Sequence, residues 1–186
     1  MLRVIAGSAR SLQLKTVEGL TTRPTTDRIK ETLFNVLQTE VPGAVFVDLF
    51  SGSGAIGIEA LSRGAEKAYF FETDKNAVAC IEYNLKHTHL FEKASVFRQD
   101  AVTALRYGVR EAADIIFADP PYGQGFDEQL LAVAADSRAV TEDSIIVIEE
   151  SLERDFSYAA ALGFDIFKEK VYKTNKHVFL RRREAE

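Results

Sequence analysis

Asp119-Pro120-Pro121-Tyr122 combines residue types whose joint chemistry is narrow. Two successive prolines fix the backbone and remove two amide donors, so a carboxylate and the adjoining carbonyl stand together as acceptors with no competing N–H. Asp119 and the Pro120 carbonyl can therefore grip one planar amino group, while Tyr122 offers a flat face on which a base can stack. An exocyclic amine held by two acceptors turns its lone pair towards an electrophile and becomes a better nucleophile. The bland reading, a proline-rich turn with an exposed tyrosine, is weakened by a series of acids upstream.

The first of these acids, Asp48, follows the apolar run Val45-Phe46-Val47 and precedes Leu49-Phe50-Ser51-Gly52-Ser53-Gly54. A buried strand here delivers its carboxyl end to a loop where a ligand can touch bare backbone, because Gly52 and Gly54 tolerate positive φ and close approach. Amides opening the next helix would face that ligand. No Gly-Lys-Ser/Thr follows, so this is not a P-loop, but Gly52-x-Gly54-x-x-Gly57 matches the dinucleotide fingerprint and Glu72 lies 18 residues beyond Gly54. On these residues alone a nicotinamide-dependent dehydrogenase stays open. Glu72, in Phe71-Glu72-Thr73-Asp74, can accept from both hydroxyls of a ribose or cap the next helix, although Asp74 is better placed for capping. Asp100 can receive an adenine amino group or serve as a helix N-cap.

These residues fall at the ends of strands in an alternating series. Strands are expected near 44–49, 67–72, 94–99, 114–119 and 143–149, with helices near 55–63, 75–88, 101–107 and 126–136. Nearly continuous apolar runs such as Ile145-Ile146-Val147-Ile148 suit a parallel sheet covered on both faces. A helix from Ser151 to Leu162, closed by Gly163, is followed by strands 164–170 and 177–182. Their link, Val171 to Lys176, is too short for a crossover, so the pair should be antiparallel. The expected fold is α/β: a doubly wound, seven-stranded, mostly parallel sheet ending in an antiparallel hairpin, with ligands beyond the strands' carboxyl ends. Residues 1–42 form a smaller N-terminal extension ahead of the main domain, 43–186. It is a β-hairpin around Gly7 to Ser11, a turn-rich stretch 19–26, and a helix capped by Thr26 with Ile29, Leu33, Phe34 and Leu37 on one face, stopped by Pro42-Gly43.

The chain has 186 residues, 46% hydrophobic and 27% charged, which fits an ordinary globular protein. No run approaches the ~20 apolar residues of a membrane span, and the N-terminus is too short in apolar residues for a signal peptide, so the expected compartment is the cytoplasm. The single cysteine, Cys80, excludes an internal disulfide and a Cys-based zinc site, and reads as a small core side chain. His87, His89 and His177 show no metal-ligand geometry. Net charge is −5, yet residues 1–35 carry six basic against three acidic groups and residues 164–186 seven against four. Each end is thus +3 and the middle −11, a distribution that can meet a polyanion if the ends converge.

Asp48 to Gly54 and Asp119 to Tyr122 resemble the glycine loop and catalytic motif of class I S-adenosylmethionine-dependent amino methyltransferases. Arg3-Val4-Ile5-Ala6-Gly7, Arg23-Pro24-Thr25-Thr26-Asp27-Arg28, Leu33-Phe34-Asn35 and Glu59-Ala60-Leu61-Ser62-Arg63-Gly64-Ala65 tighten this. From residue 3 to about 180 the chain is similar to the RsmD family of bacterial 16S rRNA (guanine-N2) methyltransferases, with Ser51 where alanine is common. The resemblance implies that Asp48, Ser51, Gly52 and Gly54 hold the methionine part of S-adenosylmethionine, Glu72 with Thr73 the ribose, and Asp100 with Ala101 the adenine. Asp119 and Pro120 would grip a guanine N2 amine, with Tyr122 stacked on the base, and no metal is needed. The implied partner is 16S rRNA, at guanine 966, in the small ribosomal subunit or its assembly intermediate, with the target nucleotide turned out into the pocket. Arg23, Thr26, Arg28, Asn35, Lys173 and Lys176 are the expected RNA contacts, and the implied state is a monomer. Three rivals remain: a DNA or RNA adenine-N6 or cytosine-N4 amino methyltransferase, the dehydrogenase, which gives Asp119-Pro120-Pro121-Tyr122 no role, and a non-catalytic RNA-binding assembly factor.

Overall fold

The apolar runs assemble into one seven-stranded sheet in the computed structural model, which describes residues 2–17 and 26–183. The strands are β1 (Val45–Asp48), β2 (Lys67–Glu72), β3 (Ala94–Arg98), β4 (Ala113–Ala118), β5 (Val140–Ser151), β6 (Phe164–Val171) and β7 (Asn175–Arg182), in the order β3-β2-β1-β4-β5-β7-β6. β1 to β5 run parallel, and β7 runs antiparallel between β5 and β6. The doubly wound sheet with a terminal antiparallel hairpin is thus as expected. β1 sits between β2 and β4, with Asp48 opposite Phe70 on one side and Phe117 on the other. Strand order reverses there, so the loops leaving β1 and β4 diverge and open a crevice.

Alternation along each strand builds two cores, one per face. Phe46, Phe70, Phe117, Val147 and Phe179 point to one face, beneath α2 (Ala55–Ser62), α3 (Lys75–His87) and the N-terminal block. Val47, Phe71, Ile116, Ile148 and Leu180 point to the other, beneath α5 (Phe126–Asp136), the turns around Ala104 and the short helix Ser157–Leu162. Strands buried on both faces need no polar alternation, which explains their continuous apolar runs.

The N-terminal block shares the first core through Leu2, Val4, Leu14, Leu33 and Phe34. Its helix, α1 (Asp27–Val36), is capped by Thr26, whose hydroxyl accepts from the Ile29 amide. The hairpin is pared to a single bridge, Arg3 with Gln13, flanked by bonds from Val4 N to Leu12 O and Leu14 N to Leu2 O. Its turn instead folds onto α2: the Ser8 amide donates to the Ser62 carbonyl at 2.8 Å and the Ala9 amide to Ser62 Oγ at 2.9 Å. Only glycine fits at position 7, where φ is +84° and an added Cβ would stand 1.7 Å from the Ser62 carbonyl oxygen. Beside this contact Glu59 of α2, fully buried, accepts from the Ile5 and Ala6 amides at 2.8 and 3.0 Å and pairs with Arg63 and Lys30 at 2.8 and 3.4 Å. Lys30 also donates to the Arg3 carbonyl. Burial pushes its ammonium pKa below the ordinary lysine value, with Glu59 acting against the shift.

Three expectations fail locally. No helix starts at Ser151: β5 runs from Val140 to Ser151 because β7 pairs with it as far as Asn175, and only a short 3₁₀ turn, Ser157–Leu162, precedes Gly163. The helix near 101–107 is a single α-turn, α4 (Ala101–Thr103), continuing as a π-turn, Ala104–Gly108. Cys80 is half-buried rather than in the core, because its face of α3 meets the N-terminal segment, where its thiol contacts the Lys15 carbonyl. Among the described residues no helix is long and apolar enough to cross a membrane.

Candidate active site

β1 ends at Asp48, and the backbone must turn at once. Gly52 and Gly54 supply φ of +52° and +80°, and Gly54 opens α2. Ser51 locks the loop to β2: its hydroxyl donates to the Asp48 carbonyl and accepts from the Phe71 amide, while its own amide donates to the Phe71 carbonyl. The buried Asp48 carboxylate accepts from the Gly57 amide of α2 at 3.1 Å. Burial pushes its carboxyl up to about 7, against that amide and with help from Glu72.

Glu72 at the end of β2 ties itself to the same loop. One carboxylate oxygen accepts from the Gly52 amide at 2.8 Å, the other from the Thr73 and Asp74 amides at 2.8 and 3.0 Å. Asp74 caps α3 by accepting from the Ala77 amide, so the capping role falls to it rather than to Glu72. Asp100 is exposed and caps α4: Thr103 donates to it at 2.9 Å and lowers its carboxyl pKa. It also faces the crevice, so capping and ligand contact are compatible.

Asp119 follows β4 directly. Burial raises its carboxyl well above the usual carboxylate range, and Glu149, Asp48 and Glu150 add to the shift in that order. Among the described residues no hydrogen-bond donor counters this shift, so the carboxylate is left with acceptor capacity for a ligand. Tyr122 keeps a half-exposed ring while its hydroxyl donates to Glu149 at 3.1 Å. Glu149 also accepts from the Asn175 side-chain amide and contacts His177 Nε2 at 2.8 Å, and Tyr172 Oη lies 3.1 Å from His177 Nδ1. The neighbouring Glu150 is likewise raised by burial, while the Ser151 and Gly123 amides hold it down.

All this opens on one crevice of about 1560 Å³, larger than the roughly 300–1,000 Å³ that suits one small ligand. Its lining brings together Asp48, Ser51, Gly52, Glu72, Thr73, Asp100 and Ala101 with Asp119, Pro120 and Tyr122. Gly54 lies behind, shaping the loop. Thr26, Arg28 and Lys170 to Asn175, Lys173 among them, line the same crevice. Asn35 is exposed on α1 away from the crevice. Lys176 is turned aside over the Phe156 ring, 4.0 Å from Glu169. Arg23 lies outside the described residues.

The family model described as "Conserved hypothetical protein 95" matches residues 2–181. Similar proteins include "Putative rRNA methyltransferase YlbH" of Bacillus subtilis, 41% identical over 82% of this chain and 84% of that one. "Ribosomal RNA small subunit methyltransferase D" of Escherichia coli is 33% identical over 91% of this chain and 84% of that one. The chain belongs to the RsmD family. Among solved structures, "Putative methyltransferase yhhF from Escherichia coli" superposes with a TM-score of 0.83 at 30% identity, covering 99% of both chains. This RsmD-family fold thus carries both motif sets on one crevice, and it also supplies residues that motif reading missed. Glu149, Tyr172, Asn175 and His177 lie in no recognised motif, and one signal pointed to Glu149 alone. Glu149-Glu150 closes an apolar strand, just as Asp48, Glu72 and Asp119 close theirs.

Proposed function

We propose that the protein transfers the methyl group of S-adenosylmethionine to the exocyclic N2 amine of a guanine in 16S rRNA of the small ribosomal subunit or its assembly intermediate. The observation that carries this reading is the rigid acceptor pair at Asp119 and Pro120, beside the exposed ring of Tyr122, on the same crevice as the glycine loop. The residues present fit the cofactor: Gly52 has no side chain to block the crevice, and Glu72 and Asp100 line it with carboxylates for hydroxyl and amino groups. Bound there, S-adenosylmethionine supplies an electrophilic methyl on a cationic sulfur.

The protein's own part is positioning and charge. Asp119 and the Pro120 carbonyl take the two N2 hydrogens, which aims the nitrogen lone pair across the crevice. Transfer moves positive charge onto N2, and Asp119 with Glu149 nearby stabilises it there. The raised Asp119 carboxylate then suits it to accept the proton that N2 must lose. Thr26, Arg28 and Lys173 line the crevice and are the groups offered to RNA backbone. The enzyme acts as a cytoplasmic monomer in this reading.

The test uses radiolabelled S-adenosylmethionine and small ribosomal subunits from a strain lacking the activity, followed by nuclease digestion. Label in N2-methylguanosine is expected. Label in methyladenosine or methylcytidine, or only in DNA, would overturn the assignment, and cofactor binding without any label would favour the assembly-factor rival.

A further inference from the structure

Asn175 and His177 enter neither the cofactor seat nor the acceptor pair, yet they surround Glu149, the carboxylate to which the Tyr122 hydroxyl donates. We infer that Glu149 is a positioning residue: it tethers Tyr122 by its hydroxyl so that the ring is pre-set against the target base, and His177 and Asn175 fix the carboxylate in turn. The inference rests on the stacking role proposed above for Tyr122.

The geometry is a short chain of hydrogen bonds anchored in the sheet. Tyr122 Oη donates to Glu149 Oε1 at 3.1 Å, Asn175 Nδ2 donates to the same oxygen, and His177 Nε2 lies 2.8 Å from Oε2. One tautomer satisfies both sides of the imidazole: Nε2–H donates to Glu149, and Nδ1 accepts from the Tyr172 hydroxyl at 3.1 Å. The ring itself cannot turn, because Tyr172, Phe117 and Phe179 meet it edge to face at 5.1, 5.8 and 6.4 Å. Glu149, Asn175 and His177 are all buried, whereas Tyr122 is 43% exposed. An aromatic ring this exposed would otherwise sample several rotamers, and each binding event would have to order it. Here the far end of the ring is held by rigid strands while its face stays open. The charge serves a second purpose, since after burial Glu149 is the largest influence on the Asp119 carboxyl.

Glutamine at position 149 would set its amide group against one of three donors, so Glu149→Gln breaks the arrangement with little change of volume. Tyr122→Phe keeps the ring and removes only the tether. Turnover is measured on small ribosomal subunits for the wild type, both variants and the double variant, with cofactor affinity read separately. In each single variant kcat should fall about 10- to 100-fold, the scale of loss for a displaced reacting group. Cofactor Kd should stay within about twofold, and the double variant should be no slower than the slower single one. Wild-type turnover in Tyr122→Phe, or losses that multiply, would overturn the inference; Tyr122→Phe decides it alone if Glu149→Gln does not fold. A readout without substrate separates the two readings. The ¹³C resonance of Tyr122 Cζ should move in Glu149→Gln, and an unmoved resonance refutes the tether. A moved resonance in a protein whose wild type makes no N2-methylguanosine refutes the function proposed above and leaves the tether standing.

Discussion

Asp48→Asn should make the cofactor-free protein more stable at neutral pH while weakening its hold on the cofactor. The carboxylate is 1% exposed at the end of β1, with the Gly57 amide as its one donor among the described residues and Glu72 close by. Burial raises its pKa from 3.8 to about 7, so the folded chain keeps a proton that the unfolded chain releases. Stability therefore falls as pH rises between those values, by at most about 1.4 kcal/mol per pH unit. Across some three units the loss approaches ~4 kcal/mol, a large share of the roughly 5–15 kcal/mol that holds a domain together. Below about pH 4 both states are protonated and the penalty vanishes; above about pH 7 both are ionised and it stays constant. Asparagine keeps an acceptor for Gly57 and carries no charge at any pH. Urea denaturation of both proteins at steps from about pH 4.5 to 8 should show the variant's relative stability climbing with pH and then levelling. A difference independent of pH, or one that moves against the variant as pH rises, would refute the reasoning. In the proposed reading the same substitution should raise the dissociation constant for S-adenosylmethionine, because the loop that would seat the cationic cofactor loses an anion.

Asp119→Ala should abolish methyl transfer, with cofactor affinity measured by calorimetry nearly unchanged. In the wild type the acid limb of kcat against pH should lie above the ordinary carboxylate range, since Asp119 must be ionised to accept a proton and its surroundings raise its pKa. Gly7→Ala should cost about 2 kcal/mol or more in denaturant unfolding, because the backbone is left-handed there and the new Cβ has no room beside Ser62. Lys30→Met should cost about 3 kcal/mol by the same measurement, since it strips a buried cation from Glu59 and leaves that charge with fewer partners.

What was legible in the sequence follows from what is local. An acid after an apolar run, a pair of glycines and a pair of prolines each declare a strand end or a fixed turn within a few residues. Asp48, Gly52, Glu72, Asp100 and Asp119 could therefore be placed on one crevice before any fold was seen. Pairings across the chain were hidden. His177 looked inert because its partner, Glu149, lies 28 residues earlier on a neighbouring strand, and only antiparallel register brings them together. The false helix at Ser151 has the same origin: pairing with β7 keeps β5 extended to that residue, beyond the reach of local pattern. Asp100 shows the limit of weighing one role against another, since a single carboxylate caps α4 and still faces the crevice.

The position of β7 also sets an order of events during synthesis. It follows β6 in sequence, yet it sits inside the sheet, and among the described residues it is the strand partner of β6. Until it emerges from the ribosome, the apolar edge of β5 is open to other chains and β6 has nowhere to dock. A nascent chain that stops short of residue 175 would already possess the glycine loop, Glu72 and Asp119 while lacking Asn175 and His177, the buried partners of Glu149. Strand β7 thus completes the candidate site only after every other element that lines it has been made.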